Sequence, residues 1–176
     1  MDKIYFISGV NGVGKTSIIL FLKTLLPSNQ FEVHDFDERG VPAMADSNWR
    51  ISETKYWVDL SVELFSKGKC IIVCGFVKVA DFQEMLSDDS LGIITIFLDA
   101  TPEIIRQRLV ARYTKDGYFD ESQMVAGKPI NVFIDGNIWI LGQMKESFAK
   151  LNSPIVDTSK LTPAEVARKV ANIIQN

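Results

Sequence analysis

The chain has 176 residues, with 19 lysines and arginines against 22 aspartates and glutamates and a net charge of −3. That length suits one domain with a full hydrophobic core, and a content of 47% hydrophobic and 23% charged residues is that of a folding chain. The acidic balance excludes a protein that grips nucleic acid by bulk charge, and no apolar run approaches the ~20 residues of a membrane span.

Met1-Asp2-Lys3 opens directly into a strand rather than a signal peptide, so the expected location is the cytoplasm. Residues 3–8 form the first predicted strand, with Ile4-Tyr5-Phe6-Ile7 as its apolar run, and residues 14–26, ended by Pro27, the first helix. Phe31-Glu32-Val33-His34-Asp35 is a short second strand. His34, the only histidine, has no second ligand type near it, so it reads as structural or as an edge contact. After a loop through Gly40-Val41-Pro42, residues 47–67 carry a helical pattern (Trp49, Ile51, Tyr56-Trp57, Leu60, Leu64-Phe65) that Gly68 stops.

Cys70 to Cys74 is a third strand, almost wholly apolar and therefore central. Its two cysteines stand four apart, about 13 Å along a strand. That is too far for a disulfide and outside the usual zinc spacings, so they read as buried thiols. Residues 79–87 form a short helix and Gly92 to Leu98 a fourth strand. Thr101 then caps a helix with Pro102 at its first position and Glu103 in its first turn, running to about Tyr113. Residues 114–130 are polar, contain glycine and have no period. A loose surface loop is one reading, and a functional lid is the favoured one. An amphipathic helix at about 131–151 carries Ile134, Ile138, Leu141, Met144, Phe148 and Leu151, and Asp135-Gly136-Asn137 blurs its start. Pro154-Ile155-Val156-Asp157 is the last strand, and Thr162-Pro163-Ala164-Glu165 opens the final helix as a capping box. Strands alternating with helices give an α/β domain, a parallel sheet covered on both faces, over residues 1–176.

The junction of the first strand and first helix reads Gly9-Val10-Asn11-Gly12-Val13-Gly14-Lys15-Thr16. Strand, G-x-x-x-x-G-K-T, helix is the phosphate-binding loop in its required context. Glycines let the backbone curl and turn its amides inward, and the helix start adds positive potential. Lys15 supplies a mobile charge for the β- and γ-phosphates, and the Thr16 hydroxyl is a ligand for Mg²⁺. The expected contacts of ATP are Gly9, Asn11, Gly12, Val13, Gly14, Lys15, Thr16 and Ser17.

Ligands of parallel sheets sit beyond the carboxyl ends of the strands. There the second strand supplies Asp35-Phe36-Asp37, the third Gly75-Phe76, the fourth Asp99 and the fifth Asp157-Thr158-Ser159. Asp35 and Asp37 alternate in an extended segment, so both carboxylates face one side. One can orient Mg²⁺ while the other accepts a proton from an attacking hydroxyl; two solvated acids in a turn is the plainer reading. Arg50 is either an anion clamp for an acceptor or the partner of Glu53, three residues on. Arg106, Arg108 and Arg112 end the helix before the lid. Their position suggests positive charge opposite the phosphate loop, although arginines near a helix C-terminus are also expected from the dipole. Lys115 and Lys128 are possible helpers. Asp99 lies just before a helix start and reads as structural.

These residues together resemble the nucleoside-monophosphate-kinase-like branch of the phosphate-loop fold, in particular the compact kinases typified by shikimate kinase. The likeness rests on Gly9 to Thr16, on Asp35-Phe36-Asp37, on Trp49-Arg50-x-x-Glu53, on Phe97 to Glu103 followed by Arg108 and Arg112, and on Asp157-Thr158-Ser159. It implies a three-layer α/β/α fold, strand order 2-3-1-4-5, and a lid at about 114–130 that closes on ATP. It implies Asp35 serving Mg²⁺, Asp37 serving the acceptor hydroxyl, Arg50 gripping the acceptor, and Arg108 and Thr158 beside the adenine. Cys74-Gly75-Phe76 departs from the glycine triplet of shikimate enzymes, which argues against a shikimate-sized polyol.

The expected activity is phosphoryl transfer from ATP to a small-molecule hydroxyl or phosphate. Lys15, Asp37 and Arg112 are the catalytic groups, and Asp35, Asp37, Arg50, Gly75 and Phe76 line the acceptor side. A nucleoside monophosphate kinase, its base stacked by Phe36, Trp49 and Phe76, is one alternative. A regulatory ATPase without an acceptor is the other. The expected assembly is a monomer or homodimer that binds neither nucleic acid nor membrane.

Overall fold

The computed structural model describes residues 2–87, 91–114 and 123–176. Its main sheet is built from β1 (Asp2–Ser8), β2 (Phe31–Asp35), β3 (Cys70–Gly75), β4 (Leu91–Asp99) and β7 (Ile155–Asp157), in the order β2-β3-β1-β4-β7 and parallel throughout. This is the expected order, with β7 as the fifth strand. Ile4 to Ile7 and Ile71 to Cys74 are buried without alternation, as central strands covered on both faces require. Ser8 is level with Gly75 on one side and Phe97 on the other, so β1 and β3 end in step and β4 runs two residues further, to Asp99. The crevice opens beyond those ends.

Among the described residues six helices cover the sheet: α1 (Lys15–Leu25), α2 (Ser47–Ser66), α3 (Val79–Phe82), α4 (Pro102–Tyr113), α5 (Ile130–Lys150) and α6 (Pro163–Gln175). α1 packs against α6, α2 against β1 and β3, and α5 against β4. The caps foreseen at Thr101 and Thr162 form, Thr162 and Glu165 closing a full capping box. No helix among the described residues is long and apolar enough to cross a membrane.

Three expectations need correction. The short helix at 79–87 is one α-turn, Val79–Phe82, followed by a 3-10 turn, Gln83–Ser87. The segment 114–130 is not irregular where it is described. Met124–Val125 (β5) and Lys128–Pro129 (β6) form an antiparallel hairpin around Ala126 and Gly127, and lead straight into α5. Residues 115–122, with Lys115, lie outside the described residues. The Asp135-Gly136-Asn137 stretch does not interrupt α5, which runs unbroken through it. Gly136 meets no atom within 4 Å of where a Cβ would stand, so its packing does not demand glycine.

Gly75 is different. Phe36, 1% exposed, packs against it, and a Cβ on Gly75 would come within 2.1 Å of the Phe36 Cβ. Gly75→Ala must therefore push β2's exit away from β3. Overpacking of this kind costs about 1–3 kcal/mol, and a urea titration should show the lowered unfolding midpoint at an unchanged slope.

His34, in β2, places Nδ1 2.6 Å from Glu38 Oε1 and its ring 5.1 Å from that of Trp57, tilted by 39°. It is thus spent on neighbours in the fold.

Candidate active site

A crevice of about 430 Å³ lies at the carboxyl ends of the strands. Asn11, Gly12, Val13, Gly14, Lys15, Thr16 and Ser17 form its floor, Asp35, Asp37, Gly75 and Phe76 one wall, and Arg108, Arg112 and Thr158 the other. Leu161, Pro163 and Val166 add an apolar patch at the α6 end that the sequence reading missed. Gly9 is not on the surface of the crevice. It packs beneath it, where a Cβ would lie 2.6 Å from the Leu98 carbonyl oxygen.

The phosphate loop is held from several sides. α2, α4 and α6 are capped by the side chains of Asp46, Thr101 and Thr162, but the N-cap of α1 is Gly14, in a left-handed conformation at φ +103, with no side-chain cap. Its first amides stay open to an anion. Arg108 donates Nη1 to the Gly12 carbonyl at 3.2 Å and to Thr158 Oγ1 at 3.0 Å, and Nη2 to the Thr158 carbonyl at 2.8 Å. Thr158 in turn donates its hydroxyl to the Val13 carbonyl at 3.0 Å. A loop whose amides face a ligand leaves its carbonyls facing outward, and these donors satisfy them. Lys15 Nζ meets the Val10 carbonyl at 2.9 Å. Burial lowers the Lys15 pKa to about 8, against the raising effect of Asp37 and Asp35, while Arg112 adds to the lowering.

Thr16 Oγ1 donates to Asp35 Oδ2 at 3.0 Å, and the Asp37 amide donates to Asp35 Oδ1 at 3.0 Å. Asp35 is thereby fixed beside the loop. Asp37 stands at the crevice mouth, exposed on its outer side. Loss of water against the crevice wall, and then Asp35, raise its pKa, while Lys15 opposes them. Among the described residues no three or more His, Cys, Asp or Glu side chains gather as a metal cage. Thr16 and Asp35 instead offer two hard oxygens, the kind of set that suits a Mg²⁺ sharing its shell with water and phosphate.

Other candidates stand elsewhere. Arg50 does not line the crevice; it lies behind Phe76, its guanidinium 5.9 Å from that ring. The pairing with Glu53 does not form. Glu53 is buried and bonds Arg39 at 3.1 Å, while Arg50 Nε is 3.7 Å from Asp81 and Nη2 bonds Ser47. Arg106 turns away from the phosphate loop and pairs with Asp135 on α5. Phe36 cannot stack a base, because it is buried on Gly75 with its edge on Trp49, and only Phe76 of the three aromatics reaches the crevice. Lys128 is exposed on β6. Asp99 bonds Lys145 at 2.6 Å. Cys74 contributes a buried thiol whose pKa burial pushes up.

No protein-family model matches the chain, and no curated protein sequence does. Solved structures do match it. An APS kinase from Mycobacterium tuberculosis, in complex with AMPPNP and APS, superposes with a TM-score of 0.63 at 14% identity, covering 99% of this chain and 98% of its own. Thymidylate kinase from Candida albicans gives 0.60 at 15%, over 98% and 90%. Shikimate kinase from Acinetobacter baumannii, in complex with shikimate, gives 0.55 at 15%, over 99% and 93%. With its five-stranded parallel sheet between helical layers, this chain has the phosphate-loop fold shared by the nucleoside-monophosphate-kinase-like and shikimate-kinase-like proteins.

Proposed function

We propose that this chain is a single-domain kinase that transfers the γ-phosphoryl group of ATP to a hydroxyl or phosphate of a small molecule. The observation that carries this reading is the meeting of Lys15, the Thr16–Asp35 pair, Asp37 and Arg112 on one crevice. Fold likeness to small-molecule and nucleotide kinases supports it.

The open amides at the start of α1 and the Lys15 ammonium hold the phosphates. Thr16 and Asp35 would hold Mg²⁺, which when bound neutralises phosphate charge. Arg112 faces them from the far wall, where charge on a transferring group needs support. The apolar patch at Leu161, Pro163 and Val166 suits the face of a nucleobase. The bond between γ-phosphorus and its bridging oxygen breaks, and the acceptor oxygen bonds to phosphorus. ADP leaves with the electron pair, and the acceptor proton passes to Asp37. Arg50, behind Phe76 and outside the crevice, is held by Ser47 and by Asp81, 3.7 Å from its Nε, and takes no part in the transfer.

The test is ADP release from Mg-ATP across a panel of nucleosides, nucleoside monophosphates, sugars, polyols, shikimate and APS. An acceptor should raise the rate at least tenfold over water, and EDTA should stop it. Thermal stabilisation by nucleoside monophosphates but not polyols would identify a nucleotide kinase. Clear ATP binding with slow hydrolysis that no acceptor changes would replace this reading with a regulatory ATPase.

A further inference from the structure

The middle of α5 carries a polar side chain where its stripe is otherwise apolar. Asn137 is 6% exposed and lies in line with Ile130, Ile134, Leu141, Met144 and Phe148. Asparagine is a poorer helix former than alanine, and a buried amide is costly unless its hydrogen bonds are made.

Its partner is the phosphate loop. Asn137 Oδ1 accepts from the Asn11 backbone N–H at 3.2 Å and from Asn11 Nδ2 at 3.1 Å, and its own Nδ2 donates to the Phe133 carbonyl at 2.8 Å. The bond from a backbone N–H requires an oxygen opposite it, and the bond to a carbonyl requires an N–H, so both ends of the amide are fixed by its surroundings. With the bonds already described, the loop is pinned at the Val10 carbonyl by Lys15, the Asn11 amide by Asn137, the Gly12 carbonyl by Arg108 and the Val13 carbonyl by Thr158. Four successive residues are held by three separate parts of the chain besides α1.

We propose that Asn137 is a positioning residue for the triphosphate. By fixing the third residue of the loop from a helix 126 positions away, it keeps the loop in its binding shape before a ligand arrives. Affinity is then not spent on ordering the loop. The proposal rests on the reading of this crevice as a Mg-ATP site. Asn137 touches no reacting atom, so its loss should raise the Kd and KM for Mg-ATP and leave kcat at saturation within about twofold.

Two substitutions separate positioning from packing. Asn137→Ala removes the acceptor and leaves a void; Asn137→Leu removes it and refills the volume. Calorimetric titration with Mg-ATP should show about 3- to 10-fold weaker binding in both, the range expected for one lost hydrogen-bonded anchor, while melting temperature falls more in the alanine variant. Unchanged affinity in both variants, or affinity restored in the leucine variant alone, would overturn the proposal. Should the leucine variant fail to fold, hydrogen exchange at the Asn11 amide decides. It should be protected in the unaltered protein without nucleotide and at least tenfold faster in Asn137→Ala; equal rates would overturn the role. An unaltered protein that binds no Mg-ATP overturns the function itself, which is a different result from unchanged affinity in the variants.

Discussion

Replacing Lys15 by methionine should abolish phosphoryl transfer and leave the fold intact. Methionine keeps the length and packing of the stem but removes the charge that stands over the loop. Loss of one well-placed group supporting transition-state charge costs about 10²–10³ in rate, so kcat/KM should fall at least that far in a coupled ADP-release assay. Folding should not suffer. The Lys15 pKa is held at about 8 by burial, below its ordinary value, so at pH 7 the folded protein carries a charge that the unfolded chain solvates better. The sign follows: this group weakens the fold at neutral pH, and the penalty fades as pH rises from about 8 through the ordinary lysine range. The melting temperature of Lys15→Met at pH 7 should therefore equal or exceed that of the unaltered protein. A clear drop would show that the side chain has a packing role of its own.

The same pKa gives a test without mutation. Phosphates brought beside Lys15 favour its charged form. At pH 8, where about half of the free protein carries the proton, Mg-ATP binding should draw up to about half a proton from solution at this site. At pH 6 the uptake should vanish, because the lysine is already charged. Titrations in buffers of different ionisation enthalpy read the difference directly, and equal proton uptake at both pH values would remove Lys15 from contact with the phosphates.

What the sequence disclosed, and what it hid, follows from how far apart the interacting residues stand. The phosphate loop needs contiguous residues, because its curvature is local, and Gly12 to Ser17 accordingly line the crevice as expected. The sheet order came through resemblance, since parallel pairing leaves no local mark. Several placements follow from rotation and alternation along one element. On a helix, Arg106 is about 200° from Arg108 while Arg112 is within about 40° of it, so Arg108 and Arg112 share the crevice face and Arg106 faces Asp135. In an extended segment neighbours alternate, so placing Asp35 and Asp37 on the crevice side already sent Phe36 into the core over Gly75. Asn137 breaks the apolar stripe of α5 without interrupting the helix. The partners themselves were out of reach. Arg50 turns to Asp81 rather than Glu53, and Asn137 to Asn11, because tertiary packing chooses among donors that no spacing rule connects.

Asp37→Asn should bind Mg-ATP at least as well as the unaltered protein and transfer phosphate about 10²–10⁴-fold more slowly, the usual share of a positioned proton acceptor. The two effects part because Asp37 is not the acid that meets Thr16. Asp35 holds that hydroxyl and stays in place in the variant, although the amide of residue 37 still leans on it. Removing a negative charge near the phosphates eases repulsion, so the Kd for Mg-ATP should stay level or fall. The pH profile supplies an independent check. Partial burial, with Asp35 beside it, raises the Asp37 pKa above that of an ordinary aspartate, and its basic form is lost as pH falls through that raised value. The rate at saturating substrates should therefore drop on the acid side, and this limb should disappear from the residual rate of the asparagine variant. Stability moves the other way. An acid whose folded pKa lies above its unfolded one favours the fold when protonated, and that contribution is lost as pH rises through the folded value. At neutral pH the asparagine variant should thus melt no lower than the parent. Full activity in Asp37→Asn, or an acid limb that survives in it, would pass the proton-accepting role to another group.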